Sequence, residues 1–195
     1  YDMEPHDRPI ADLFMGANEY VVRRSGLKGK DMVYDHENLR GPLLEFHNEF
    51  QPDTAVTPLP YPGKVMDMLQ YKSYIWGGQK LPDELTIQAV EGEYMSGDEY
   101  QEFAADPTNF WMKKYLPRVM PTLEPLAMLT EFPRVSENVD IIDLIAPFGL
   151  PPFQAMLKTL MEAGNELMKM LGAVGQTAGM IAASGFPSMG FNIVK

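Results

Sequence analysis

Few side chains in this 195-residue chain could do chemistry, and most of them stand at spacings that suit structure as well as reaction. His6, His36 and His47 could ligate a metal or move protons, but they are far apart and lack a ligand spacing, so each reads as a surface or capping residue. Cysteine is absent, which removes thiolate ligands and disulfides. Glu91, Glu93, Asp98, Glu99 and Glu102 crowd one stretch and could gather a cation; a solvated face with favourable charge at a helix start explains them better. No glycine-rich phosphate loop and no nucleophile elbow occurs. What remains is an amide, a carboxylate and a phenol beside breaks in apolar sequence. Asn18 and Glu19 lie in Met15-Gly16-Ala17-Asn18-Glu19, and Tyr61 lies in Pro60-Tyr61-Pro62-Gly63. Asn18, Glu19 and Tyr61 are therefore the candidate substrate-binding residues; the alternative is that they only satisfy the backbone of two turns. No residue presents itself as catalytic, and no metal site is indicated.

The elements that must position these residues can be read from apolar spacing. Ile10–Met15 has the length of a buried strand and ends at Gly16. A helix opened by Asp35 carries Leu39, Leu43, Phe46 and Phe50 on one face, and Pro42 is expected to kink it or to start a second helix. After the Gln51-Pro52-Asp53 turn, Thr54–Leu59 suits a second strand, giving the start of a parallel strand-helix-strand unit. In barrels of such units, loops at the carboxyl ends of strands build the active site, and both candidate stretches fall there. Tyr71–Trp76 and Thr86–Val90 alternate in polarity across a Gly- and Pro-containing link, which predicts an antiparallel excursion. Ser96 with Glu99 forms a capping box, and Asp106-Pro107 caps and restarts a helix whose apolar faces include Phe103, Phe110, Met112 and Leu116. Ser136 begins a short helix over Val139–Ile145, and Pro151-Pro152 begins the longest one. In it Phe153, Leu157, Leu160, Gly164, Leu167, Leu171, Val174, Ala178 and Ile181 recur at steps of four and three. That spacing suits a coiled-coil seam or a helix burying one stripe, and glycines on and beside it favour the stripe.

Length fits one domain with a buried core, and an apolar fraction of 45% argues against disorder. A net charge of −11 with scattered Lys and Arg speaks against nucleic acid and anionic membrane as partners. Fifteen methionines suit flexible gap filling in a core, with an adaptable binding surface as the other use. Met170–Val194 is uncharged and long enough for a bilayer, yet its glycines, polar residues and Pro187 predict a buried helix followed by a loop. The opening Tyr1-Asp2-Met3-Glu4-Pro5 is no signal peptide, and a cytoplasmic location is expected.

Asp7-Arg8-Pro9 ahead of one strand, Gln51-Pro52-Asp53 ahead of another, and above all EYMSGDEYQEFAADPTNFWMKKYLPR at 93–118 resemble the uroporphyrinogen decarboxylase superfamily. The resemblance spans essentially the whole chain and is closest to the branch of decarboxylase-like proteins and cobalamin-dependent methyltransferases. It implies an α/β fold, a partial (β/α)8 TIM barrel of the uroporphyrinogen decarboxylase type. Such a fold would be helix-rich, with residues 1–195 the amino-terminal part of a single barrel domain. Such barrels run to about 250 residues, so the chain resembles the first half of the pattern. Decarboxylases place an Arg-Gln-Ala-Gly-Arg stretch after the first strand and a pyrrole-binding aspartate after the second. This chain has Met15–Tyr20 and Leu59-Pro60-Tyr61 there, without arginine, which disfavours a polyanionic tetrapyrrole. The resemblance then implies a zinc-dependent methyltransferase exchanging methyl groups with a corrinoid protein, its zinc ligands in the second half of the fold. Zinc, and cobalamin on a partner protein, are the implied cofactors, with none held by this segment alone. The implied partners are the remaining half of the barrel or a homodimer mate. Tetrapyrrole decarboxylation is one alternative; a non-catalytic protein pairing through its Met-rich carboxyl-terminal helix is the other.

Overall fold

Helices dominate because most apolar residues recur at helical spacing and most breaks carry caps or prolines. A computed structural model describes residues 16–59, 61–130 and 140–185. The chain divides into two units. One takes in the chain up to Tyr61, Trp76–Thr86 and the chain from Lys169; the other takes in Pro62–Ile75 and Ile87–Met168. Among the described residues the paired strands form one small two-stranded antiparallel sheet.

In the first unit, α1 (Gly16–Arg24), α2 (Asp31–Tyr34) and α3 (Arg40–Phe50) bury Val21 and Val22, Met32 and Val33, and Leu43 and Phe46. Tyr20 on α1 meets Phe46 and Phe50 on α3 edge-on. The predicted helix from Asp35 starts instead at Arg40, after a turn in which the Asp35 carboxylate accepts from the Asn38 amide. Pro42 therefore sits in the first turn of α3, where a missing N–H removes no helical bond, and it causes no kink. The expected strand Ile10–Met15 lies outside the described residues. Among the described residues Thr54–Leu59 holds a bridge at Ala55 and not the longer strand expected. Side chains meet two of its backbone groups. Val56 N–H donates to His47 Nε2 at 2.9 Å, and Thr57 C=O accepts from Asn18 Nδ2 at 3.0 Å, while Pro58 has no N–H to offer. Trp76 is buried and donates Nε1–H to the Tyr34 hydroxyl at 2.7 Å.

In the second unit, α4 (Gly63–Met68) precedes β1 (Tyr74–Trp76), whose last residue belongs to the first unit, and β2 (Ile87–Ala89). The predicted excursion strands are thus present but shorter. The Ser96/Glu99 capping box forms and leads through a 3-10 turn into α5 (Tyr100–Ala105). Asp106 accepts from Asn109 N–H at 3.0 Å, with Pro107 opening α6 (Pro107–Phe110). A π-helical turn, Trp111–Tyr115, joins α6 to α7 (Leu116–Val119). A 3-10 stretch, Pro121–Met128, and α8 (Asp140–Ile145) follow; Ser136, the expected start of α8, lies outside the described residues. Leu123, Phe153 and Met156 form the buried centre of this unit, with Leu116, Met120 and Leu160 packed around it.

Pro151 opens α9 (Pro151–Ala183), the longest helix. The expected seam holds in part: Phe153 and Ile181 are buried and Leu160 is partly buried, but Met156, Ala163, Ala173 and Thr177 are buried in place of the exposed Leu157, Gly164 and Leu171. The helix carries apolar residues on two adjacent stripes, so spacing alone does not choose between them. No helix among the described residues is long and apolar enough to cross a membrane.

Candidate functional site

Asn18, in the first turn of α1, is fully buried, and its amide has only one described partner. Nδ2 donates to the Thr57 carbonyl, while Oδ1 is buried without a hydrogen-bond partner. An unpaired buried carbonyl costs about 1–3 kcal/mol, so such an atom calls for an explanation. Just beyond Thr57, Tyr61 N–H donates to Leu59 C=O at 2.9 Å. His36, which precedes α3, is buried. Its Nε2 is also without a partner. Burial holds the His36 pKa below the ordinary imidazole value, against the opposing pull of the Leu59 backbone, the Asp35 charge and the Tyr61 backbone.

Of the three sequence-derived candidates, Asn18 and Tyr61 are brought to the same stretch of chain. Glu19 is not. It faces solvent, accepts from Thr86 Oγ1 at 3.0 Å and stands 3.9 Å from Arg23 one turn along α1. Its charge suits the helix start.

His36 and His47 correct the surface or capping role expected of them, because both are buried; His6 lies outside the described residues. Val56 N–H occupies His47 Nε2, which therefore carries the lone pair, so Nδ1–H donates to Leu43 C=O at 2.6 Å. That imidazole is structural. A signal for it existed: His47 follows Leu43 by four residues and so shares its buried face.

In the acidic stretch 91–102 one carboxylate has a structural role. Glu99 closes the capping box and accepts both Arg118 guanidinium nitrogens at 2.7 and 2.6 Å. Those bonds, with the Ser96 backbone, push its pKa down to about 2. Arg118 Nη1 also donates to the Tyr94 carbonyl at 2.8 Å, so the two ends of the 93–118 segment are tied together. Among the described residues no three His, Asp or Glu side chains gather as a metal set.

A shallow hollow of about 100 Å³ lies between α1 and α3, lined by Tyr20, Arg24, Phe46 and Glu49 among others. It is too small for a substrate of ordinary size, and Arg24 within it is engaged by Glu49 at 2.6 Å. None of the three candidate residues lines it. No protein-family model matches this chain, and comparison with curated proteins and with solved structures found no match.

Proposed function

We propose that this chain is the amino-terminal portion of a uroporphyrinogen decarboxylase-like barrel enzyme of the methyltransferase branch, acting with a corrinoid protein. One observation carries the reading. Asn18 at the start of α1 is bonded to Thr57 in the segment Thr54–Leu59, and Tyr61 follows four residues later on the same stretch of chain. In a barrel that segment would be the second strand, and both groups would stand at carboxyl ends of neighbouring strands. In this reading the completed barrel gives substrate access to Asn18 Oδ1, which is buried and unpaired here and can accept an N–H or O–H, while the Tyr61 phenol orients a polar group. The arginines of α1 do not help a polyanion bind there: Arg23 and Arg24 lie in its last turn, paired with Glu19 and Glu49. The described residues do not fit a zinc site, since none of them converge as ligands and His47 has both ring nitrogens occupied. In this reading zinc is held by the second half of the fold, and the residues here bind and orient substrate.

The test uses the complete protein: zinc analysis together with methyl transfer from methylcobalamin. Bound zinc and transfer are expected, and absence of both would remove the reading. Asn18→Ser should raise KM about ten-fold, the equivalent of one lost hydrogen bond, with kcat less affected. Release of coproporphyrinogen from uroporphyrinogen would instead establish the decarboxylase.

A pairing function has an observation of its own. Met161 and Met168 on α9 are 74% and 67% exposed, beside exposed Leu157. Large apolar side chains in one row on a surface mark contact sites.

A further inference from the structure

We infer that His47 is a positioning residue for Asn18: by anchoring Val56 it sets where the Thr57 carbonyl stands, and so where the Asn18 amide points. The inference rests on Asn18 belonging to the proposed site. Val56 N–H donates to His47 Nε2 at 2.9 Å, and the next residue, Thr57, offers its carbonyl to Asn18 Nδ2 at 3.0 Å. Side chains of two helices, α3 and α1, thus grip consecutive residues of one segment. His47, Val56 and Asn18 are all buried, so solvent does not stand ready to replace the His47–Val56 bond.

Both bonds have a fixed sense. His47 Nδ1 lies 2.6 Å from Leu43 C=O, which can only accept, so Nδ1 carries the proton and Nε2 offers its lone pair to Val56. The Thr57 carbonyl also only accepts, so it selects the amide nitrogen of Asn18 and leaves Oδ1 as the atom without a partner. An amide held by one bond takes its direction from that bond. If Val56 drifts, the planar peptide unit carries Thr57 with it, and Oδ1 no longer presents its lone pairs in one direction. An apolar side chain at position 47 would fill the volume and hold neither group. What the imidazole adds is an acceptor for Val56, in a rigid ring steadied by Leu43.

The experiment labels the asparagines and histidines of the full chain with 15N and follows the Asn18 side-chain amide, identified by its loss in Asn18→Ser. His47→Gln puts a carboxamide oxygen where Nε2 stands and should keep the wild-type Asn18 shifts. His47→Asn reaches only the Nδ1 position, and His47→Phe fills the volume without an acceptor. Both should move or broaden the Asn18 signals while circular dichroism reports a folded chain. Unmoved signals in folded His47→Phe, retention by Asn and not Gln, or equal movement in Gln and Phe would each overturn the assignment. The wild-type ring supplies a test that needs no variant to fold. Its 15N shifts should show Nδ1 protonated and Nε2 bare, and the opposite tautomer would overturn the inference. These signals report orientation and protonation alone, so they stand or fall separately from any methyl-transfer assay.

Discussion

Single side chains in this protein do the work that backbone pairing does elsewhere. His47 accepts from Val56 N–H and donates to Leu43 C=O, bridging α3 to an extended segment that lacks a described partner strand at that point. His47→Leu keeps the volume and strands the Val56 N–H, so a loss of roughly 2–3 kcal/mol is expected. It should appear as a lower urea midpoint at unchanged slope; an unchanged midpoint would mean the bridge is idle. Glu99 predicts an acid limb. Its carboxyl titrates at about 2 in the folded chain, against an ordinary value of 4.5, because Arg118 and Ser96 favour the anion. Below 4.5 the unfolded chain takes up the proton first, so its contribution is complete above that pH and is lost as pH falls toward 2. Urea midpoints at pH 7, 4 and 3 should fall less steeply in Glu99→Gln than in the parent chain. Equal slopes would remove Glu99 from the acid response. These two residues also mark what sequence could and could not reveal. The Ser96–Glu99 spacing announces a cap, but nothing in the spacing of Glu99 and Arg118 announces a bidentate pair 19 residues apart.

Helix starts were legible because their signals are local: a hydroxyl and a carboxylate three apart, or a proline after an aspartate, state their geometry within one turn. Extended chain was less so. Thr54–Leu59 has the composition of a strand, yet two of its backbone groups bond Asn18 and His47, which only the fold brings near. The register of α9 was ambiguous for another reason, since two of its stripes are apolar and packing selects Met156 and Ala163 over Leu157 and Gly164. The loop before β2 makes a further demand that spacing does not state. Gly29 and Gly77 both lie against the backbone of Leu85, and a Cβ at either would overlap it. The Asp83 carbonyl, accepting from Lys30 N–H at 3.0 Å, fixes the loop where it presses on Gly29. Gly77→Ala and Gly29→Ala should each cost roughly 1–3 kcal/mol, because backbone must shift to admit the methyl group. The double variant should cost less than the two losses added, since one displacement of the loop relieves both. Strict additivity in thermal or urea unfolding would show that the two glycines do not share that contact.

For the molecule as a whole the open question is what covers its exposed apolar side chains. In the unit built from Pro62–Ile75 and Ile87–Met168, Met161 and Met168 stand out from α9, and Ile142 and Ile145 from α8. A net charge of −11 opposes indiscriminate association, so contact there must be specific enough to outweigh repulsion between like surfaces. The barrel reading supplies the remaining half of the fold as the cover; the pairing reading supplies a second copy. Either way the chain alone should self-associate, with light scattering giving a mass above the 22.0 kDa of one chain. Met161→Gln with Met168→Gln leaves charge and side-chain length nearly unchanged while removing apolar contact, so a shift toward monomer in that variant locates the interface on α9. If the parent chain is already a monodisperse monomer across the micromolar range, its exposed methionines are simply solvated and neither cover is needed. If it associates and the variant associates equally, the contact lies elsewhere, and Ile142 and Ile145 become the residues to change.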